Sequence, residues 1–332
     1  MKKAEKLQVG DEVRVIAPAR SASDIDPEVF HRATRALESL GLKVSFGKNI
    51  YSRRQRGCPT DDEKVSDLHE AFLGPNVKGI IAAIGGFNSN QLLDRINWEI
   101  IRENPKVCAG FSDITVLNHA ILAKTGLITY VAPNFYCFGL PPESDYSLDY
   151  FKKCVFHGQV DSYEVIPSSH WYDFPWEYDG AASRATLTNV GLKVLQGGTA
   201  RGVFIGGNLC SLSLLHGTQY FPDVQDDIIL CIEDDSYDSM AETVERNVQS
   251  LMQQSYFRQV KAILVGRFQR ESAATEQVLE DIFRTKGIAA SIPIVTNLDF
   301  GHTDPKFTYP VGGRGRIEAD RQSGRVRLTI YR

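Results

Sequence analysis

Three side chains, far apart along the chain, have the chemistry needed for acyl transfer. Ser112 stands in Gly110-Phe111-Ser112-Asp113-Ile114-Thr115, a tight turn between an apolar run and a helical pattern. A serine there presents its hydroxyl at a helix N-terminus, and the N–H of Asp113 faces the oxyanion that forms on attack. The same position also suits a serine that only caps the helix, so the motif leaves both uses open. A serine hydroxyl is a weak nucleophile and needs a base within hydrogen-bond reach, itself oriented by an acceptor. His302 lies just after a buried apolar run, in a loop beside Gly301 and before Asp304-Pro305. It can reach into a cleft from there, or it can be an ordinary surface histidine. Glu233 is the first of three acids after Ile228-Ile229-Leu230-Cys231-Ile232 and the one closest to a strand end. Asp235, Ser236 or Asp238 would cap the helix that follows.

Two glycine pairs also end apolar runs. Gly85-Gly86 lets the backbone come close to a substrate, so either N–H is a candidate second oxyanion donor; a tight turn before a helix is the simpler role. Asn88 follows this pair, and Asn208 follows the similar Gly206-Gly207. Both asparagines are candidate substrate contacts. Gly312-Gly313-Arg314-Gly315 reads as hairpin geometry, and no phosphate-loop motif occurs.

These residues need elements to hold them. Residues 13–18 form a short β-branched run closed by proline, the pattern of a buried strand. Asp26-Pro27 opens a helix over 28–40, and 61–73 forms another. Residues 43–46, 77–84 and 107–110 read as strands, and 113–124 as a helix stopped by Gly126. This alternation predicts an α/β fold with a parallel sheet covered on both faces, whose ligands sit at the carboxyl ends of the strands. From about 139 to 190 the periodicity fails amid prolines and aromatics, including Trp171 and Trp176, so the segment reads as linker and loop. Beyond it, strands at 200–206, 227–232, 262–265 and 293–296, a helix at 238–254 and a terminal hairpin make a more mixed second part.

The chain has 332 residues, 42% hydrophobic and 23% charged, with a net charge of −4. That suits two globular domains and argues against a nucleic acid polymer as partner. The N-terminal segment has no apolar stretch and nothing later could span a bilayer, so neither a signal peptide nor a membrane role is expected. Six scattered cysteines without a C-x-x-C pair predict reduced thiols in the cytoplasm, and the scattered histidines give no metal motif.

Taken together, IAPA at 16–19, IGGFNSNQLL at 84–93, GFSDIT at 110–115, IGGNLCSL at 205–212, CIEDDS at 231–236 and NLDFGHTDPK at 297–306 resemble the LD-carboxypeptidase family of serine peptidases nearly end to end. The branch holding the microcin C immunity carboxypeptidases looks closest. The resemblance implies a flavodoxin-like N-terminal domain (1–165) carrying Ser112. It implies a smaller β-rich C-terminal domain (166–332) carrying Glu233 and His302, with residues 141–189 as linker and aromatic loop and the active site at the interface. It also implies a Ser–Glu–His triad, no cofactor, a homodimer, and a small peptide or peptidyl-nucleotide substrate. Murein-cleaving members typically carry an arginine just before the glycine pair, where this chain has Ile84. The aromatic loop resembles one whose tryptophan stacks on a nucleotide base; Trp176 is the first choice for that role and Trp171 the second. Cleavage of microcin C-like peptidyl or aminoacyl nucleotides is therefore expected, with murein tetrapeptide cleavage as the alternative. Two rivals fit less well. An α/β-hydrolase wants G-x-S-x-G, and position 114 is isoleucine. A non-enzymatic small-molecule binder gives no reason for Ser112, Glu233 and His302 to fall at strand ends.

Overall fold

A computed structural model describes residues 1–140, 145–173 and 185–332. In the N-terminal half five parallel strands run side by side: Lys43–Phe46, Glu12–Ile16, Val77–Ala82, Val107–Ala109 and Thr129–Val131. Numbered along the chain this order is 2-1-3-4-5, that of flavodoxin-like sheets. The crossover helices start where their caps dictate. Asp26 Oδ1 accepts from the N–H groups of Glu28 and Val29, and Pro27 opens the helix Pro27–Ser39, which buries Val29, Ala33 and Leu37. Thr60 and Glu63 form a reciprocal capping box on the helix Asp61–Leu73.

The C-terminal half continues the same sheet without a break. Tyr309–Val311 pairs antiparallel with Thr129–Val131 on one side and parallel with Gly198–Asn208 on the other. Ile228–Glu233, Val260–Gly266 and Ile294–Leu298 then follow in parallel, with Lys193–Gln196 antiparallel at the edge. The terminal hairpin Arg314–Ala319 and Val326–Tyr331 branches from the first half of Gly198–Asn208. Among the described residues this makes one sheet of fourteen strands, beside a small sheet of Thr303–Asp304, His170–Asp173 and Leu187–Thr188. No described helix is long and apolar enough to cross a membrane.

The segment read from sequence as linker holds more order than expected. Asp145–Val155 is a helix that buries Tyr150, Phe151, Cys154 and Val155. Ser162–Val165 joins the main sheet, and His170–Asp173 the small one. Asp235, Ser236 and Asp238 do not cap the next helix either: it starts at Ala241, after Met240, with no side-chain cap. Asp235 Oδ1 instead accepts from the N–H groups of Tyr237 and Asp238, closing a turn.

The helix Thr115–Thr125 docks on Gly198–Asn208 through a fully buried imidazole. His119 Nδ1–H donates to the Thr115 carbonyl at 2.7 Å, and Nε2 accepts from the Gly206 N–H at 3.0 Å. Thr115 Oγ1 accepts from the Asn208 N–H at 3.0 Å. Contact this close requires glycine: a Cβ at Gly207, whose φ is +149°, would lie 2.6 Å from Thr115 Oγ1. Burial pulls the His119 pKa down from 6.5 to about 4, against the bond to Thr115, so the ring stays neutral. Between these values the unfolded chain binds a proton that the folded chain refuses. Stability should therefore fall on acidification from pH 6.5, by up to about 1.4 kcal/mol per pH unit, and level off below pH 4. Urea unfolding of wild type and His119→Gln at several pH values reads this; equal pH dependence in the two proteins would refute it.

Candidate active site

The strand Val107–Ala109 ends at Gly110, and the chain turns sharply into a 3₁₀ turn, Ser112–Ile114. Ser112 has φ +64°, a left-handed conformation that costs a non-glycine residue about 1–3 kcal/mol. Its side chain does not cap the helix Thr115–Thr125: Ile114 occupies that cap position, with no side-chain bond there. The Ser112 hydroxyl instead meets His302 Nε2 at 3.0 Å. His302 Nδ1 lies 2.7 Å from Glu233 Oε2. Glu233, 2% exposed, is the last residue of Ile228–Glu233, and His302 follows Ile294–Leu298 by four residues. The structure thus brings the three residues together in one hydrogen-bonded series. A base with this geometry can take the hydroxyl proton, and the carboxylate can hold the charged ring.

Burial draws the His302 pKa down, but the Glu233 charge and hydrogen bond, aided by Asp235 and Asp234, outweigh it and leave the pKa above 6.5. Asp234 is raised as well: burial, then the charges of Glu233 and Asp235, hold its carboxyl well above the usual range. Asp234, Asp235 and Asp238 bring carboxylate oxygens within 4.8 Å of one another, close enough to interest a metal ion. The Asp234 oxygens already accept from Asn208 Nδ2 at 2.7 Å and the Cys210 N–H at 3.1 Å, and Asp235 closes its own turn, so the group organises the loop.

Gly85 lies directly against the serine. A Cβ there would come 3.0 Å from Ser112 Oγ and 3.7 Å from the Asp113 nitrogen. The space left by the missing side chain is where the hydroxyl and that N–H converge. Asp113 itself is buried, and its Oδ2 accepts from the N–H groups of Asn88 at 3.0 Å and Ser89 at 2.9 Å. Ser89 Oγ donates back to the Asp113 carbonyl at 2.8 Å. The residue after the serine therefore pins the loop after the glycine pair. Burial raises the Asp113 pKa, countered by these bonds and by the Lys64 charge behind it.

A cavity of about 420 Å³ opens on the pair, lined by Ser112, His302, Gly85, Gly86, Ile84 and Phe87, with Arg20, Asp235 and Glu271 among its charged residues. The other residues singled out from sequence lie elsewhere. Asn208 caps the helix Leu209–Ser213 and donates to Asp234. Asn88 is 3% exposed, and its backbone is tied to Asp113. Neither lines the cavity. Both are buried, and Asn208 shows that a polar residue after a glycine pair serves a strand-to-helix turn as readily as a ligand. Trp171 sits on the small sheet, with the Arg267 guanidinium 5.1 Å from its ring centre, and does not line the cavity. Trp176 lies outside the described residues. Arg20 went unnoticed in the sequence, although it directly follows IAPA, and Phe87 stands inside IGGFNSNQLL without being singled out.

Comparison with known proteins identifies the family. Residues 13–132 match the LD-carboxypeptidase N-terminal domain, and residues 201–317 the LD-carboxypeptidase C-terminal domain. The putative carboxypeptidase YocD of Bacillus subtilis is 42% identical over 97% of this chain and 98% of its own length. A probable murein peptide carboxypeptidase of B. subtilis is 31% identical, covering 95% and 91%. The microcin C7 self-immunity protein MccF of Escherichia coli is 30% identical, covering 96% and 94%. Among solved structures, an MccF-like protein from Bacillus anthracis superposes with a TM-score of 0.94 at 40% identity, covering 100% of this chain and 99% of that one. MccF in complex with aspartyl sulfamoyl adenosine gives 0.86 at 28% identity, covering 99% and 98%. The chain therefore belongs to the LD-carboxypeptidase family, peptidase family S66, and is a serine carboxypeptidase.

Proposed function

We propose that Ser112, His302 and Glu233 form the catalytic triad and that the enzyme cleaves an amide-type bond through an acyl-enzyme. The observation that carries this is the series Ser112 Oγ, His302, Glu233 at 3.0 and 2.7 Å, opening on the cavity. His302 Nε2 takes the hydroxyl proton as Oγ attacks the carbonyl carbon, and Glu233 stabilises the imidazolium. The carbonyl oxygen becomes an oxyanion facing the Asp113 N–H. For the second donor, Gly86 is favoured over Gly85. The Arg20 N–H donates to the Gly85 carbonyl at 3.1 Å, and a trans-planar peptide turns the Gly86 N–H to the other side. His302 then protonates the leaving amine, the C–N bond breaks, and water, deprotonated by the same ring, releases the acyl group.

For the substrate we favour a peptidyl or aminoacyl nucleotide of the microcin C type, so that cleavage would detoxify it. Apolar Ile84 in the cavity wall and the aromatic surface of Tyr136 support this, since they suit a planar base. So does the likeness to MccF, which is named for microcin C7 self-immunity. Base stacking falls to Trp176 in this reading, because the Trp171 ring is already covered by Arg267. A murein tetrapeptide is the second reading. It draws on the likeness to murein carboxypeptidases and on a cavity carrying both Arg20 and the acids Asp235 and Glu271, which suits a zwitterionic peptide.

Ser112→Ala should lower turnover of any cleaved substrate by about 10⁴-fold or more. Assays on aspartyl sulfamoyl adenosine and on a murein tetrapeptide, run side by side, decide the substrate; undiminished turnover in the variant would remove the serine from the mechanism. Trp176→Ala should weaken only the nucleotide, and equal loss on both substrates would refute stacking. His302 must be neutral to act as base, so kcat/KM should fall on the acid side with an apparent pKa above 6.5. Glu233→Gln removes the largest raising influence and should move that limb to lower pH while cutting the rate. A limb that stays in place would mean that Glu233 does not set the His302 pKa.

A further inference from the structure

The loop that carries His302 is closed at its ends and bounded on two sides. The Phe307 N–H donates to the Asp299 carbonyl at 2.8 Å, which closes residues 299–307 into one loop. On one side the loop lies against Glu233: a Cβ at Gly301, whose φ is +104°, would fall 2.8 Å from Glu233 Oε2. On the other side Thr303 and Asp304 pair antiparallel with Asp173 and Tyr172. The strand His170–Asp173 thus backs the histidine loop, and Leu187–Thr188 pairs with its other edge. Its last residue also reaches the loop after Glu233. Asp173 accepts from Gln269 Nε2 at 3.3 Å, and Gln269 Oε1 accepts from the Ser236 N–H at 3.0 Å.

One buried carboxylate fixes this small sheet to the rest of the molecule. Asp299 is 1% exposed and does not line the cavity. Its Oδ1 accepts from the Arg267 guanidinium at 2.7 Å, Ser168 Oγ at 3.0 Å and Asn189 Nδ2 at 3.5 Å. Its Oδ2 accepts from the Ser168 N–H at 2.7 Å and the Tyr146 hydroxyl at 3.3 Å. Ser168 stands two residues before His170–Asp173, and Asn189 directly follows Leu187–Thr188. These are the two feet of the small sheet, and Asn189 Nδ2 ties them together by donating to the Ser168 carbonyl at 2.8 Å. Arg267 Nε in turn donates to Asn297 Oδ1 at 2.8 Å, and Asn297 Nδ2 donates to the Gly191 carbonyl at 2.6 Å. A carboxylate this deeply buried is costly unless fixed donors meet it. Here the donors come from both feet, and the carboxylate belongs to the histidine loop itself.

We propose that Asp299 is a positioning residue for His302: it gathers both feet of the small sheet, and that sheet holds the histidine loop against Glu233. This deepens the function proposed above and rests on its reading of His302 as the base. Histidine labelled with nitrogen-15 tests it by NMR without substrate. His302 Nδ1 faces Glu233 and His119 Nδ1 faces the Thr115 carbonyl, so each ring should give a downfield N–H signal when neutral. Loss of a signal in His302→Gln or His119→Gln protein assigns it. In Asp299→Asn protein the His302 signal should broaden or vanish while the His119 signal, which reports the intact fold, remains. On a substrate that the wild type cleaves, kcat should fall by on the order of tenfold to a hundredfold. Ser168→Ala leaves Asp299, Arg267 and the histidine loop in place and removes one link to a foot. It should move both readouts in the same direction by less, and it carries the test if Asp299→Asn does not fold. The proposal is overturned if either readout is unchanged in both variants. It is also overturned if the His119 signal is lost together with that of His302 in both, since Asp299 would then serve only general stability. Continued cleavage by Ser112→Ala protein would instead refute the proposed triad, and the two signals would still decide whether Asp299 holds His302 in place.

Discussion

The helix Thr115–Thr125 and the strand Gly198–Asn208 approach until only glycine fits between them, and neutral His119 joins the Thr115 carbonyl to the Gly206 N–H. Ser112 sits just ahead of that helix, and Glu233 ends the strand paired with Gly198–Asn208. The separation of the two residues is therefore set by backbone contact across the sheet, with little side-chain slack. A 3.0 Å contact between Ser112 and His302 depends on that closeness, because a serine side chain is too short to compensate for a shifted helix.

Charge is arranged around this frame in two layers. Glu233 is buried beside Asp234 and Asp235, and the repulsion among them is relieved by raising Asp234 and by the bond to His302. On the other side of the serine, Asp113 spends its carboxylate on the N–H groups of Asn88 and Ser89, so the loop beside the glycine pair is held by the residue that follows the serine. Buried carboxylates used this way lose solvation and regain it through fixed donors, and the resulting network specifies a single loop geometry.

Much of this was legible in the sequence, for identifiable reasons. Strand–helix alternation with clear caps located the N-terminal elements, because their apolar stripes face one sheet. Ser112, Glu233 and His302 stood out because each follows an apolar run, and the structure joins them. Asn208 shows how a short amide can serve a turn where a ligand contact is expected: it caps the helix Leu209–Ser213. The helix Asp145–Val155 was hidden by its aromatic content, and Tyr309–Val311 by its length of three residues with a proline at its centre. Arg20 and Phe87 are ordinary residues until the fold sets them at one opening.

Tyr309–Val311 also has a consequence for how the molecule is made. This strand comes from near the end of a 332-residue chain yet lies in the middle of the sheet, between Thr129–Val131 and Gly198–Asn208. On the ribosome, residues up to 311 must emerge before those two neighbours acquire the partner that joins them. Until then each half presents an open strand edge, the kind of surface that nascent chains shield with chaperones or lose to aggregation. Such long-range pairing slows folding, and a truncation before residue 309 would leave two unfinished sheets.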